Sequence, residues 1–153
     1  LARFQARELA FVEAHGYLQT EYGWRRYFPR EDRQNVHRHG VATEIYNLRI
    51  QSNEAMVVRE AMLALRRELG LHFPHEEARL AIMLHDSVVI SCRPEHAERV
   101  RDMMYELMTA PARKMPCPEI GMPEGVRFPI DLKIGPTWGD MMSWEKWREE
   151  PKP

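Results

Sequence analysis

Asp86 lies between His85 and Ser87 at a polar corner in an otherwise apolar run, RLAIMLHDSVVISC, residues 79–92. A carboxylate at the tip of so apolar a hairpin is costly to bury unpaired, so it calls for a cation or strong donors. The chemistry such a group offers is metal ligation. Asp and Ser are also ordinary turn formers, and on the hairpin alone a turn is the simpler account. The arms themselves read as strands. Leu80, Ile82 and Leu84 alternate with Ala81 and Met83, and Val88-Val89-Ile90 is β-branched throughout, which suits a pleated and largely buried strand.

Three further groups have side chains suited to chemistry or recognition. Asn47 and Gln51 are four residues apart and share a face if the chain is helical there, with Asn53 close by. Amides both donate and accept, which suits them to base edges, although polar residues fraying a helix start explain them about as well. Arg25 and Arg26 precede a polar stretch, residues 30–40, containing Arg30, Arg33, His37, Arg38 and His39. A solvated loop diluted by Glu31 and Asp32 is the common explanation, and a phosphate-contacting patch is the alternative. Histidines spaced as in HRH are poor evidence for a metal site.

Composition narrows the classes. The chain has 153 residues, enough for one domain with a real core, and 44% hydrophobic with 29% charged residues is ordinary for a globular protein. A net charge of -1 leaves no global basic field, so nucleic-acid contact must come from local patches. Cys92 and Cys117 form neither a CxxC nor a zinc spacing, and free thiols in a reducing compartment are the default. No apolar run approaches the ~20 residues of a membrane span, and no signal peptide is visible. The chain opens on Leu1 with helix-like sequence, as a piece of something longer would.

The elements that must position these residues follow in order. Residues 1–15 form an imperfect amphipathic helix stopped by Gly16. Residues 16–29, GYLQTEYGWRRYFP, predict a small hairpin turning around residues 21–24. A long helix spans residues 43–69, with Ala55, Val58, Met62, Leu65 and Leu69 as its apolar stripe and Gly70 as its end. After the central hairpin, Pro94 opens a helix burying Ala97, Val100, Met104, Leu107 and Met108. Residues 109–125 are a proline- and glycine-rich loop. Residues 127–134 predict a third strand with Phe128, Ile130, Leu132 and Ile134 inward and Asp131 outward. Trp138, Trp144 and Trp147 pack the tail as a short helix. The order is that of an α+β fold with an antiparallel sheet.

These pieces resemble, in order, the C-terminal third of family A DNA polymerases, the bacterial DNA polymerase I type. LHDS, residues 84–87, looks like the family's motif C, usually HDE. GYLQTEYGWRRYFP is similar to GYxxTxxGRRRxxP at Gly16, Tyr17, Thr20, Gly23, Arg25, Arg26 and Pro29. NLRIQSNEA resembles N-x-P-I-Q-G-T-A-A at Asn47, Ile50, Gln51 and Ala55, and FPIDLKIGPTWGDM resembles the last palm strand with its Gly-x-x-Trp ending. Each motif is modest alone, and four in the right order are far more specific.

The resemblance implies an antiparallel palm-type sheet, the motif C hairpin plus the C-terminal strand, packed on long helices. Residues 1–42 would be the distal connection between fingers and palm, and residues 43–153 the C-terminal part of the palm. It implies that Asp86 is one of two aspartates holding two Mg²⁺ ions, which activate the primer hydroxyl and stabilise the pyrophosphate leaving group. His85 would touch the primer terminus, and Gln51 and Asn47 would probe minor-groove acceptors common to all correct pairs. Arg25 and Arg26 would reach backbone phosphates. Implied partners are DNA primer-template, deoxynucleoside triphosphates and the remainder of the polymerase, in cis or as a separate chain, in the cytoplasm of a bacterial or phage-infected cell, with no membrane.

The departures are specific. Ser87 replaces the usual glutamate, as in phage-type single-subunit RNA polymerases, so viral ancestry or RNA synthesis comes into view. Leu48-Arg49 and Ser52-Asn53-Glu54 replace the pattern around Ile50-Gln51, and Thr43 stands where the family often has arginine. The family's motif A, with the partner aspartate, and its motif B fingers helix have no counterpart in these residues. Asp131 is a poor substitute on an outward face. Rival readings are a non-catalytic nucleic-acid-binding palm-like module, a phage-type RNA polymerase palm, and an HD-type metal phosphohydrolase using His85-Asp86 with His37 or His39. The last is disfavoured because both flanks of the doublet are strand-like. With only one of the two carboxylates, the purified 153-residue chain is expected not to extend a primer. Template-dependent incorporation by the chain alone would contradict this.

Overall fold

The computed structural model describes residues 2–149. Helix α1 (Ala2–His15) leads into the hairpin β1 (Tyr17–Gln19) and β2 (Arg25–Tyr27), then the short α2 (Arg30–Gln34) and the 34-residue α3 (His39–His72). The hairpin β3 (Ala78–Leu84) and β4 (Ser87–Cys92) follows, then α4 (Ala97–Met108), β5 (Lys133–Ile134), β6 (Met142–Ser143) and α5 (Trp144–Glu149). This is an α+β fold. Its strands form three separate two-stranded sheets, β1-β2, β3-β4 and β5-β6.

The chain divides into two compact units. The first runs to Glu60 and also takes in Leu84–Ser87; the second comprises Ala61–Met83 and the residues from Val88 onward. Helix α3 therefore contributes to both, and the expected boundary at residues 42 and 43 falls within it. The core of the first unit is Leu9, Val12, Leu18, Phe28, Val36, Ala42 and Ile45. In the second, Leu69, Phe73, Ala78 and Val100 are buried, with Leu80, Ile90, Met103 and Met104 packed on them.

Several expectations are met in detail. Gly16 has φ 74° and its N–H closes α1's last turn by donating to the Val12 carbonyl at 2.8 Å. The β1-β2 register, Tyr17 to Tyr27 and Gln19 to Arg25, brackets the turn predicted at residues 21–24. Ala97 and Val100 are buried on α4, as the periodicity required.

Other elements differ, each for a local reason. Helix α3 starts earlier than expected, and residues 30–40 are not one loop but contain α2 and the first residues of α3. Glu31 and Asp32 fall in the first turn of α2, where the helix dipole favours acids. Gly70 does not end α3, which runs on to His72; Pro74, lacking an N–H, bars continuation beyond it. Ala55 is exposed, and Ala61, Leu65 and Leu69 form the buried stripe instead. The third strand shrinks to Lys133–Ile134, and Pro129, without an N–H, keeps a ladder from running through residue 129. It pairs with Met142–Ser143 and not with the β3-β4 hairpin, and Phe128 is exposed. Within the tail, Trp144 is buried and stacks on Trp147 at 4.9 Å, whereas Trp138 is half exposed.

Arg33 locks the end of α1 from outside. Its guanidinium donates to the carbonyls of Glu13 and Ala14 at 3.3 and 3.4 Å, and a Cβ on Gly16 would lie 2.9 Å from its Nε. Gly16→Ala is therefore expected to destabilise the chain by about 1–2 kcal/mol, read as a lower midpoint in chemical denaturation. An unchanged midpoint would remove Gly16 and Arg33 from the cap.

Candidate functional site

The β3-β4 hairpin turns at His85 and Asp86. His85 has φ 54°, the left-handed region that hairpin turns require and that glycine or asparagine usually fills. A histidine there is strained relative to glycine. His85, Asp86 and Ser87 are all exposed, and the Ser87 hydroxyl donates to Asp86 Oδ1 at a long 3.4 Å. The arms are less buried than their composition predicts: Ile82, Met83 and Leu84 are 44%, 44% and 50% exposed.

Asn47 and Gln51 lie within α3, about two and three turns after its start, so they do not mark a frayed terminus. Both are exposed. Asn53 parts company with them. It is 4% exposed and its amide donates to Glu21 Oε2. The helical repeat explains the split. Ile45, Arg49 and Asn53 follow at four-residue steps on the inward face, while Asn47 and Gln51 stand about 200° around from Arg49.

That inward face meets a line of charges that the sequence reading missed. Glu8, 1% exposed on α1, takes bonds from Arg7 Nε at 3.0 Å, and its other oxygen lies 3.0 Å from Arg49 Nε. The latter contact has ion-pair distance without hydrogen-bond alignment, because neither atom has a properly directed partner. Arg49 also donates from its terminal nitrogen to Glu21 Oε1 at 2.9 Å. Glu21 belongs to the β1-β2 turn. Burial works against its ionisation, but the bonds from Asn53 and the backbone and the Arg49 charge outweigh this and hold its carboxyl below the usual range. A signal existed in the sequence: Arg49 and Asn53 continue the apolar face that begins at Ala42 and Ile45.

Arg25 and Arg26 are exposed but engaged. Arg25 Nε donates to Gln19 Oε1 at 2.6 Å and its guanidinium lies 4.7 Å from the Tyr17 ring centroid. Arg26 pairs with Glu44 at 2.5 Å. Such exposed contacts are weak.

All seven candidates, Arg25, Arg26, Asn47, Gln51, His85, Asp86 and Ser87, fall in the first compact unit. Among the described residues, no three His, Cys, Asp or Glu side chains gather as a metal ion would require. The described residues therefore do not by themselves fit a two-ion site. Among the described residues, no helix is long and apolar enough to cross a membrane.

A sequence model of DNA polymerase family A matches residues 1–140. The chain belongs to DNA polymerase family A. It is 28% identical over 141 residues to DNA polymerase I of Deinococcus radiodurans, covering 92% of this chain and 13% of that protein. It is 25% identical over 144 residues to DNA polymerase I of Chloroflexus aurantiacus, covering 92% of the chain and 14% of the relative. The thermostable DNA polymerase I of Thermus aquaticus is 29% identical over 127 residues, 80% of this chain and 13% of that one. The chain thus spans only 13% to 14% of the length of these family A relatives.

The Glu21 carboxyl of this family A chain gives a pH test. A folded-state value below the unfolded one contributes stability that is present above the ordinary glutamate range, about 4.3, and lost as pH falls through the lower folded value. Glu21→Gln is expected to lower the thermal midpoint at pH 7, and the gap to wild type is expected to narrow below about pH 4. Melts at constant salt measure it, and a gap independent of pH would contradict the assignment.

Proposed function

We propose that this chain is the C-terminal palm portion of a template-directed DNA polymerase. Residues 1–42 form its connection toward the fingers and residues 43–153 its share of the palm. The observation that carries the reading is the family match over residues 1–140, which includes the His85-Asp86 doublet of the hairpin tip. The exposure of Asp86, Asn47 and Gln51 supports it, since groups that meet DNA and metal ions must be reachable.

In this reading Asp86 supplies one carboxylate to a pair of Mg²⁺ ions, and its mate comes from outside these residues. The histidine in the left-handed turn conformation sets the carboxylate at the hairpin tip, beside the primer-terminal nucleotide. Asn47 and Gln51 offer amide donors to purine N3 and pyrimidine O2, acceptors that every correct pair presents in the minor groove. Arg25 and Arg26 meet backbone phosphates. Ser87, in place of glutamate, supports the doublet through its hydroxyl at Asp86. The exposed Ile82, Met83 and Leu84 fit a hairpin that the remainder of the polymerase covers, in cis or as a second chain. Primer-template and deoxynucleoside triphosphates are then the partners, and the cytoplasm of a bacterial or phage-infected cell the setting.

Asp86→Ala in the complete or reconstituted polymerase is expected to lower turnover by orders of magnitude while leaving duplex affinity nearly intact. Single-turnover incorporation and anisotropy titration measure the two. A near-normal rate would remove Asp86 from the metal site.

A further inference from the structure

We infer that Arg49 is a positioning residue for duplex recognition: clamped between the carboxylates of Glu8 and Glu21, it fixes the rotation of α3 that turns Asn47 and Gln51 outward. This rests on the reading of Asn47 and Gln51 as minor-groove contacts and adds how their direction is set.

Two departures from the family motif converge on Glu21. The motif N-x-P-I-Q-G-T-A-A has proline where this chain has Arg49, and threonine where it has Asn53. Proline inside a helix removes a hydrogen bond and kinks it. Here α3 runs without interruption from His39 to His72, so any orientation a kink would impose must come from packing. Arg49 and Asn53, one turn apart, both engage the same residue, Glu21. Arg49 also reaches Glu8, whose side chain is almost wholly buried and held from the other side by Arg7. The line Arg7, Glu8, Arg49, Glu21 alternates in sign and ties α1, the β1-β2 turn and α3 together.

The geometry is restrictive. A guanidinium presents donors in a planar fork, so meeting two carboxylates from different elements fixes its plane and with it the helix face that bears it. Rotating α3 by one residue, about 100°, would pull Arg49 off both acids and leave Glu8 buried beside one cation. Ala42 and Ile45 on the same face, in one core with Val12 of α1, resist rotation only as shape, which apolar cores tolerate loosely. Charge supplies the direction. The lowered titration range of Glu21 is consistent with the pair being ionised and engaged.

The test uses the polymerase completed with its remainder, in cis or reconstituted, a fluorescent primer-template duplex, and the same duplex with 3-deazaguanine near the primer terminus, which removes a minor-groove acceptor. Wild type is expected to bind the 3-deaza duplex about tenfold more weakly. Arg49→Met is expected to bind both duplexes equally, while the salt dependence of binding, set by phosphate contacts, stays that of wild type. Glu21→Gln, a milder change at a partly exposed side chain, is expected to lose at least half of the discrimination and serves if Arg49→Met fails to fold. Full discrimination retained in a folded Arg49→Met or in Glu21→Gln overturns the inference alone. A wild type that does not discriminate, or does not bind, overturns the minor-groove reading and the inference with it.

Discussion

The first unit depends on one partly buried arrangement of charge, an arginine on a long helix held between the buried Glu8 and the partly exposed Glu21. Burying Glu8 is costly unless Arg7 and Arg49 stay at hand, and removing one partner of a buried pair typically costs about 3–5 kcal/mol. Such an arrangement adds less to stability than an apolar core of equal volume. Its value is direction. Leucines and valines would pack α3 against α1 in several rotations, but only one rotation serves the acids. The consequence appears on the opposite side of the helix, where two amides stand free of the core at a fixed spacing.

The β3-β4 hairpin is built on another principle. A two-stranded sheet is marginal in isolation, and this one is anchored at its base: Ala78, Leu80 and Ile90 join Phe73 and Val100, and Arg93 N–H donates to the Glu77 carbonyl at 3.0 Å. Toward the tip the anchoring gives way to exposed Ile82, Met83 and Leu84. The turn then places a histidine in a backbone conformation it disfavours, next to an aspartate with little local support. In the proposed reading, the exposed apolar arms and the strained corner belong to an element that further protein completes.

Much of this was legible in the residues. Gly16 ended its helix because its backbone must turn left-handed there, and Gly23 and its neighbours marked the first hairpin because no other residues between those arms suit a turn. The LHDS corner and the pair Asn47 and Gln51 were found by type and spacing. What escaped depended on long-range partners. Gly70 looked like a stop and was not, because local propensity yields when the next turn packs, and Phe73 N–H still finds the Leu69 carbonyl at 2.9 Å. Pro129 sits inside the alternating run of residues 127–134, where the missing donor outweighs the alternation. Asn53 was grouped with Asn47 and Gln51 by sequence proximity, although the helical repeat already set it on the face of Ile45. Glu8 and Glu21, far apart in sequence and each unremarkable, became visible only when the fold brought both to Arg49.

The most direct measurement is paramagnetic broadening by Mn²⁺ of the Asp86 and Ser87 amide resonances, with primer-template present, recorded with and without the remainder of the polymerase. The account predicts that substoichiometric Mn²⁺ broadens these two resonances selectively only in the completed assembly. Equal broadening in the chain alone, or none at Asp86 once the assembly is complete and active, would contradict it.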